Sequence, residues 1–304
     1  MCGISGLLYK NDRKRGQSSI GADLTKMLDS MAHRGKDSSG FTIGGEDIPD
    51  DYIIRVWTED EEHAKDVLAR AEESVAKVGG VVNTKHAVGQ FLRMTVNYEG
   101  EVPDLAAALL KTKGVEVHSI GESSEVIKDV GTATDMDHKH HLSKYRGTHG
   151  IGHVRMATES KVDITHAHPF WAYPFPDITV VHNGQLTNYH KLKRHLEDNG
   201  HHFQTHNDSE IISVFLADTL SKGATLEEAL KESLTALDGT FTYLVSTRDG
   251  IGCAKDKWAA KPLVIMETED TVAIASEEVA LRRVFSEEIN RVEPQENEVM
   301  VWSV

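Results

Sequence analysis

The stretch MCGISGLLY, residues 1–9, decides how the rest of the chain is read. Gly3 to Tyr9 is an apolar run of strand length that starts one residue after a cysteine. It lacks the leading basic region and the length of a signal peptide. Initiator methionine is commonly removed when the next residue is small, and removal of Met1 would give Cys2 a free α-amino group with a reference pKa near 8. Such an amine can take the thiol proton, directly or through one water, and leave a thiolate on the same residue. Position alone favours a plainer reading, a small buried hydrophobe at a strand start. The rest of the sequence reverses that preference.

The chain has 304 residues, room for one large domain or two modest ones. Thirty-three Lys and Arg stand against 48 Asp and Glu, a formal charge of −15, which argues against nucleic acid or an anionic membrane as the main partner. With 39% hydrophobic and 27% charged residues the composition is that of a globular protein. Two cysteines, Cys2 and Cys253, cannot build a disulfide framework, and no run of about 18 apolar residues suggests a membrane span. A soluble cytoplasmic protein is expected.

Beyond the opening strand, Leu24, Met27, Leu28 and Met31 follow helical spacing, and HRGKDSSG (33–40) is a polar, glycine-bearing turn. An acidic junction, EDIPDD (46–51), precedes a block with a different pattern. It reads as a strand (52–57), a helix (61–78), two strands (80–89 and 91–98), a helix (102–113) and a closing strand pair (115–130). The order β-α-β-β-α-β suggests a ferredoxin-like unit, with 135–147 as a polar linker back. From 148 onward short strands pair in hairpins and helices come in runs, so the chain is α+β with largely antiparallel sheets. The expected division is 2–45 with 148–304 as one domain and 46–147 as an insert.

Four motifs carry possible chemistry. Arg155 in GHVRMATES (152–160) sits among apolar strand residues, where its planar fork needs a carboxylate; a structural salt bridge explains it equally well. Asn183-Gly184 in VVHNGQLTN reads as a tight turn after a strand, and places a side-chain amide beside a glycine N–H, two donors able to hold an oxyanion. Asn207, Asp208 and Ser209 read as a helix N-cap with an acidic first turn; alternatively Asp208 binds a substrate ammonium. Seventeen histidines, including HAHPF (166–170) and DMDHKHH (135–141), raise the question of zinc, but neither HExxH nor paired CxxC occurs, and no metal or cofactor is expected.

The ordered set MCGI, HRGKDSSG, GHVRMATES, HAHPF, HNGQLTN, NDSEIISVFL, LDGTFTYLVSTRDG and AIASEEVAL resembles the class II glutamine amidotransferase domain, a member of the N-terminal nucleophile hydrolases. The resemblance implies a four-layer αββα sandwich with an inserted ferredoxin-like α+β subdomain. It implies Cys2 as nucleophile with its own amine as base, Arg155 on the glutamine α-carboxylate, Asp208 on the α-ammonium, and Asn183 with Gly184 as oxyanion hole. Thr158 and His182 are site-lining positions. Lys36 and Glu159 depart from the family pattern, where proline and often histidine stand. The chain carries no recognisable acceptor domain, so the partner expected for the released ammonia is a separate synthase subunit in a hetero-oligomer, of the glutamate synthase-like or N-methylglutamate synthase-like kind. The insert is the expected docking element. An amidase for another amide, or a non-catalytic regulatory subunit, are the alternatives.

Overall fold

The computed structural model describes residues 2–45, 48–49, 51–157, 162–286 and 290–304. The chain opens with β1 (Gly3–Tyr9), α1 (Asp12–Gln17), α2 (Ile20–Ser30) and β2 (Ser38–Gly44). It continues through β3 (Asp51–Trp57), α3 (Ala64–Lys77), β4 (Val81–Val88), β5 (Phe91–Asn97), α4 (Val102–Leu110) and β6 (Glu116–Gly121). Then come β7 (Ser124–Val130), α5 (Ala133–His140), β8 (His149–Arg155), β9 (Phe170–Trp171) and β10 (Thr179–Leu186). Helices α6 (Tyr189–Asp198), α7 (Asp208–Ser221) and α8 (Leu226–Ala236) lead to β11 (Gly239–Thr247) and β12 (Gly250–Lys255). The chain closes with β13 (Val264–Glu267), β14 (Thr271–Ala275), α9 (Glu278–Leu281), β15 (Arg291–Val292) and β16 (Val299–Ser303).

A seven-stranded sheet, ordered β15-β13-β14-β1-β8-β2-β7, packs on a five-stranded sheet ordered β16-β12-β11-β10-β9. β1 is buried on both faces because both are covered. Its side chains alternate: Ile4 and Leu8 meet Val181, Leu244 and Ile251 between the sheets, whereas Leu7 and Tyr9 meet Leu24, Met27 and Leu28 of α2. The Ser19 hydroxyl caps α2 by accepting from the Ala22 N–H, so the predicted stripe becomes the inner face of a capped helix. Helices α6, α7 and α8 cover the outer face of the five-stranded sheet. The result is the expected αββα sandwich.

Strands β3–β6 form a separate four-stranded antiparallel sheet ordered β4-β5-β3-β6, with α3 and α4 on one face, which is ferredoxin-like. Its core also takes in Trp171 from β9 and Tyr173 just after it. On its other face Arg55 donates to Glu125 on β7 at 2.5 Å with both side chains buried, and Arg93 adds a second bond at 3.0 Å.

Two expectations change here. The final strand pair does not stay in the insert: β6 belongs to the small sheet, but β7 pairs with β2 over Ser38–Gly44 in the large one. Residues 135–147 are no linker either. Thr132 and Asp135 make a capping box for α5, and Ala133 and Met136 pack with the residues of α2. Of the acidic junction only 48, 49 and 51 lie within the described residues.

Candidate active site

The head of β1 lies between the ends of its two antiparallel neighbours, since Gly3 pairs with Val154 and Ser5 with Ala275. This register brings Cys2 to the end of β8. Its Sγ is 3.5 Å from the Met156 N and 3.7 Å from the Met156 O. The backbone of Cys2 is held from two sides: Arg34 Nε donates to Cys2 O at 2.9 Å and Asn183 Nδ2 at 3.1 Å. Arg34 is itself fixed by Glu277 at 2.6 Å. The Ser276 hydroxyl accepts from Ile4 N at 3.0 Å and lies 3.3 Å from Asn183 Nδ2. Arg34 and Ser276 were not singled out from sequence; both stand inside quoted motifs, HRGKDSSG and AIASEEVAL.

Asn183-Gly184 is not a turn. Both residues lie within β10, with Asn183 opposite Thr242 and Gly184 opposite Phe241 on β11. The glycine is required for a different reason: φ is +131°, and a Cβ would sit 1.9 Å from the Thr240 carbonyl oxygen. Gly184→Ala is therefore expected to lower Tm by about 2–5 °C, from roughly 1–3 kcal/mol of backbone strain; an unchanged melting curve would contradict this.

Asp208 opens α7, where the Asn207 side chain caps by accepting from Ser209 N at 2.9 Å. One Asp208 oxygen accepts from Leu186 N at 3.0 Å, tying the helix start to the end of β10. The other lies 3.7 Å from His182 Nδ1. A cavity of about 490 Å³ is lined by Cys2, Arg155, His182, Asn183, Gly184 and Asp208 together. Six of the seven predicted site residues thus share one space; Thr158 lies outside the described residues, as does Glu159. A second cavity of about 430 Å³ shares Cys2, Met156, Asn183, Gly184 and Gln185, and adds Arg34, Thr187, Thr240 and Lys261. A larger one of about 760 Å³, lined by Asp177, Arg248 and Trp302 among others, contains none of these site residues.

His153, His168 and His182 are buried. His153 and His168 stack face to face with centroids 4.1 Å apart, and His168 Nε2 and His182 Nδ1 lie 2.8 and 2.9 Å from the Ser209 Oγ. His166 and His168 sit not on a strand but at the end of a turn whose Ala167 N–H donates to Ile164 O. Burial pushes all three inner rings towards neutrality: His153 falls to about 3, His168 goes well below the ordinary imidazole range, and His182 is lowered against the opposing pull of Asp208. Among the described residues no group of three His, Cys, Asp or Glu is placed to hold a metal ion.

Burial also lowers His149 and His118, each to about 4. Unfolded, these rings titrate near 6.5. Below that pH the unfolded chain binds more protons than the folded one, so stability present above pH 6.5 is lost as pH falls towards 4. Tm is expected to be lower at pH 5 than at pH 7.5; a flat or rising Tm over that interval would contradict the assignment.

An αββα sandwich whose central strand starts at a thiol defines the N-terminal nucleophile class of hydrolases. Comparison with known proteins narrows this. A model of the glutamine amidotransferase domain matches residues 153–283. The glutamine amidotransferase homologue of Methanothermobacter thermautotrophicus is 40% identical over 100% of this chain and 100% of its own length. The glutamine amidotransferase-like protein GlxB of Rhizobium meliloti is 36% identical, over 99% and 98%. The chain belongs to the glutamine amidotransferase family. Among solved structures, the glutamine phosphoribosylpyrophosphate amidotransferase of B. subtilis superposes with a TM-score of 0.62 at 20% identity, covering 99% of this chain and 47% of that one.

Among the described residues no helix is long and apolar enough to cross a membrane.

Proposed function

We propose that this chain is a glutaminase subunit, hydrolysing L-glutamine to glutamate and ammonia through a Cys2 thioester and passing the ammonia to a separate synthase subunit. The observation that carries the reading is the shared cavity: a thiol with a guanidinium and a carboxylate on its walls. Glutamine has a poor electrophile at one end and two opposite charges at the other. A site selective for it needs a cation and an anion at a fixed distance from the nucleophile, which Arg155 and Asp208 supply. An amidase for an acylated compound would need an apolar pocket there instead.

Once Met1 is removed, the Cys2 amine takes the thiol proton. The sulfur attacks the amide carbon, and the C–S bond forms as the carbonyl becomes an oxyanion facing Asn183 and Gly184. Both hydrogens of the Asn183 amide are directed at Cys2 O and Ser276 Oγ, so one of these bonds is exchanged for the oxyanion. The C–N bond then breaks, the ammonium form of the amine protonates the leaving nitrogen, and water hydrolyses the thioester. Holding base and nucleophile on one residue exploits proximity. Asn183→Ala is expected to lower kcat by about 10²–10³-fold with a smaller change in KM; an equal loss confined to KM would remove Asn183 from the oxyanion site.

The synthase is of the glutamate synthase-like or N-methylglutamate synthase-like kind. A cytoplasmic setting suits two cysteines that stand unpaired. The test is amide-¹⁵N glutamine supplied to the complex from its native source. A second chain whose aminated product carries the label, and loses it with Cys2→Ala, supports the reading. Ammonia released with no amination by any co-purifying chain contradicts it.

A further inference from the structure

No residue of β3–β6, α3 or α4 lines the cavity that holds Cys2, Arg155 and Asp208. The insert nevertheless grips the segment that walls it. Ile164 is buried in a cluster with Trp57 on β3 and Phe91 on β5. Its neighbour Thr165 donates from Oγ1 to Glu116 on β6 at 2.6 Å, and the same carboxylate lies 3.7 Å from the buried Lys128 ammonium. Between this anchor and the cavity the chain has little freedom. Asp163 accepts from both the N–H and the ring of His166 at 2.9 and 2.6 Å, and Ala167 N closes the turn onto Ile164 O at 3.0 Å.

The next residue, His168, reaches the cavity and bonds to the Ser209 hydroxyl. Ser209 is also the partner of His182, and its Oγ lies 3.5 Å from Asp208 Oδ1. A hydroxyl donates once and accepts twice, so at most one of the two rings accepts from Ser209 and at least one donates to it. The neighbours of Asp208 are thereby arranged by where His168 stands.

We propose that the insert positions the ammonium-binding end of the glutamine site: it seats Ile164 and Thr165, and through them sets His168, Ser209 and Asp208. Ile164 and Thr165 are positioning residues, and the inference rests on the reading of Asp208 as the α-ammonium partner. Removal of the whole insert would uncover Ile164, Trp171 and Tyr173 and disturb this wall, so point variants are the sharper probe.

The experiment uses the full chain with Ile164→Ala, Thr165→Val or Thr165→Ser, and two ligands. One is glutamine; the other is its des-amino analogue, with hydrogen in place of the α-ammonium, read as a competitive inhibition constant. Ile164→Ala and Thr165→Val should each raise the glutamine KM roughly tenfold with kcat within about twofold. Thr165→Ser, which keeps the hydroxyl, should match the parent, and the analogue's inhibition constant should not move in any variant. Equal weakening of both ligands, or an unchanged glutamine KM in both Ile164→Ala and Thr165→Val, overturns the inference. If the parent enzyme itself holds the analogue as tightly as glutamine, the reading of Asp208 falls, and that failure is visible before any variant is made.

Discussion

Cys2→Ala is expected to abolish glutamate release from glutamine, by about 10⁴-fold or more, while the protein still folds and binds glutamine. The alanine is small enough for Met1 to be removed as before, so the base survives and only the nucleophile is lost. Little stability should go with it. Among the described residues the Cys2 Sγ is 3.5 and 3.7 Å from the Met156 backbone, and the bonds that fix the residue run to its carbonyl oxygen instead. Rates by glutamate assay and Tm by calorimetry check both halves. Retained turnover would remove Cys2 from the chemistry. By contrast Cys253, buried on β12 with its thiol pushed up to about 12 by burial, should be replaceable by Ala with near-parental kinetics and a loss confined to stability.

Arg155→Ala should raise the glutamine KM by about 10²–10³-fold, the range for truncating one member of a desolvated, hydrogen-bonded charge pair. Arg155 is only 5% exposed at the end of β8, where it pairs with Ser38 on β2. A carboxylate meeting it there would be held in a water-poor setting by a planar fork. Lysine keeps the charge but not the fork, so Arg155→Lys should recover only part of the loss. A parental KM in Arg155→Ala would refute the carboxylate grip, and steady-state kinetics against glutamine decides it.

How far the sequence could be read depends on whether the signal was local. β1, α2 and the insert's β-α-β-β-α-β order were legible because apolar spacing and the polar breaks between elements were enough to find them. The insert's end was not. β7 has the same strand pattern whether it closes the small sheet or joins the large one, and the register with β2 is a long-range choice. Helix α5 was hidden in DMDHKHH because its inner face offers only Ala133, Met136 and His140, the last satisfied by Asp129 at 3.1 Å. Asn183-Gly184 misled for the opposite reason: the dipeptide is a strong local turn signal, overridden by pairing with β11 and the close approach of Thr240.

In the site, Cys2, Arg155, His182, Asn183, Gly184 and Asp208 line one cavity, and Thr158 lies outside the described residues. What sequence did not reveal was their support. Arg34, Ser276 and Ser209 carry no chemistry signature of their own and matter through partners as far as 32, 272 and 41 positions away. His168, in the HAHPF stretch that raises the question of zinc, is a ring stacked on His153 and bonded to Ser209.

The most direct test of the central claim is mass spectrometry of the N-terminal peptide after exposure to a glutamine analogue carrying an electrophilic carbon in place of the amide carbon. The account predicts a peptide that begins at Cys2, without Met1, bearing one adduct on that cysteine, with labelling suppressed by excess glutamine. A peptide still carrying Met1, or an adduct placed elsewhere and indifferent to glutamine, would contradict it.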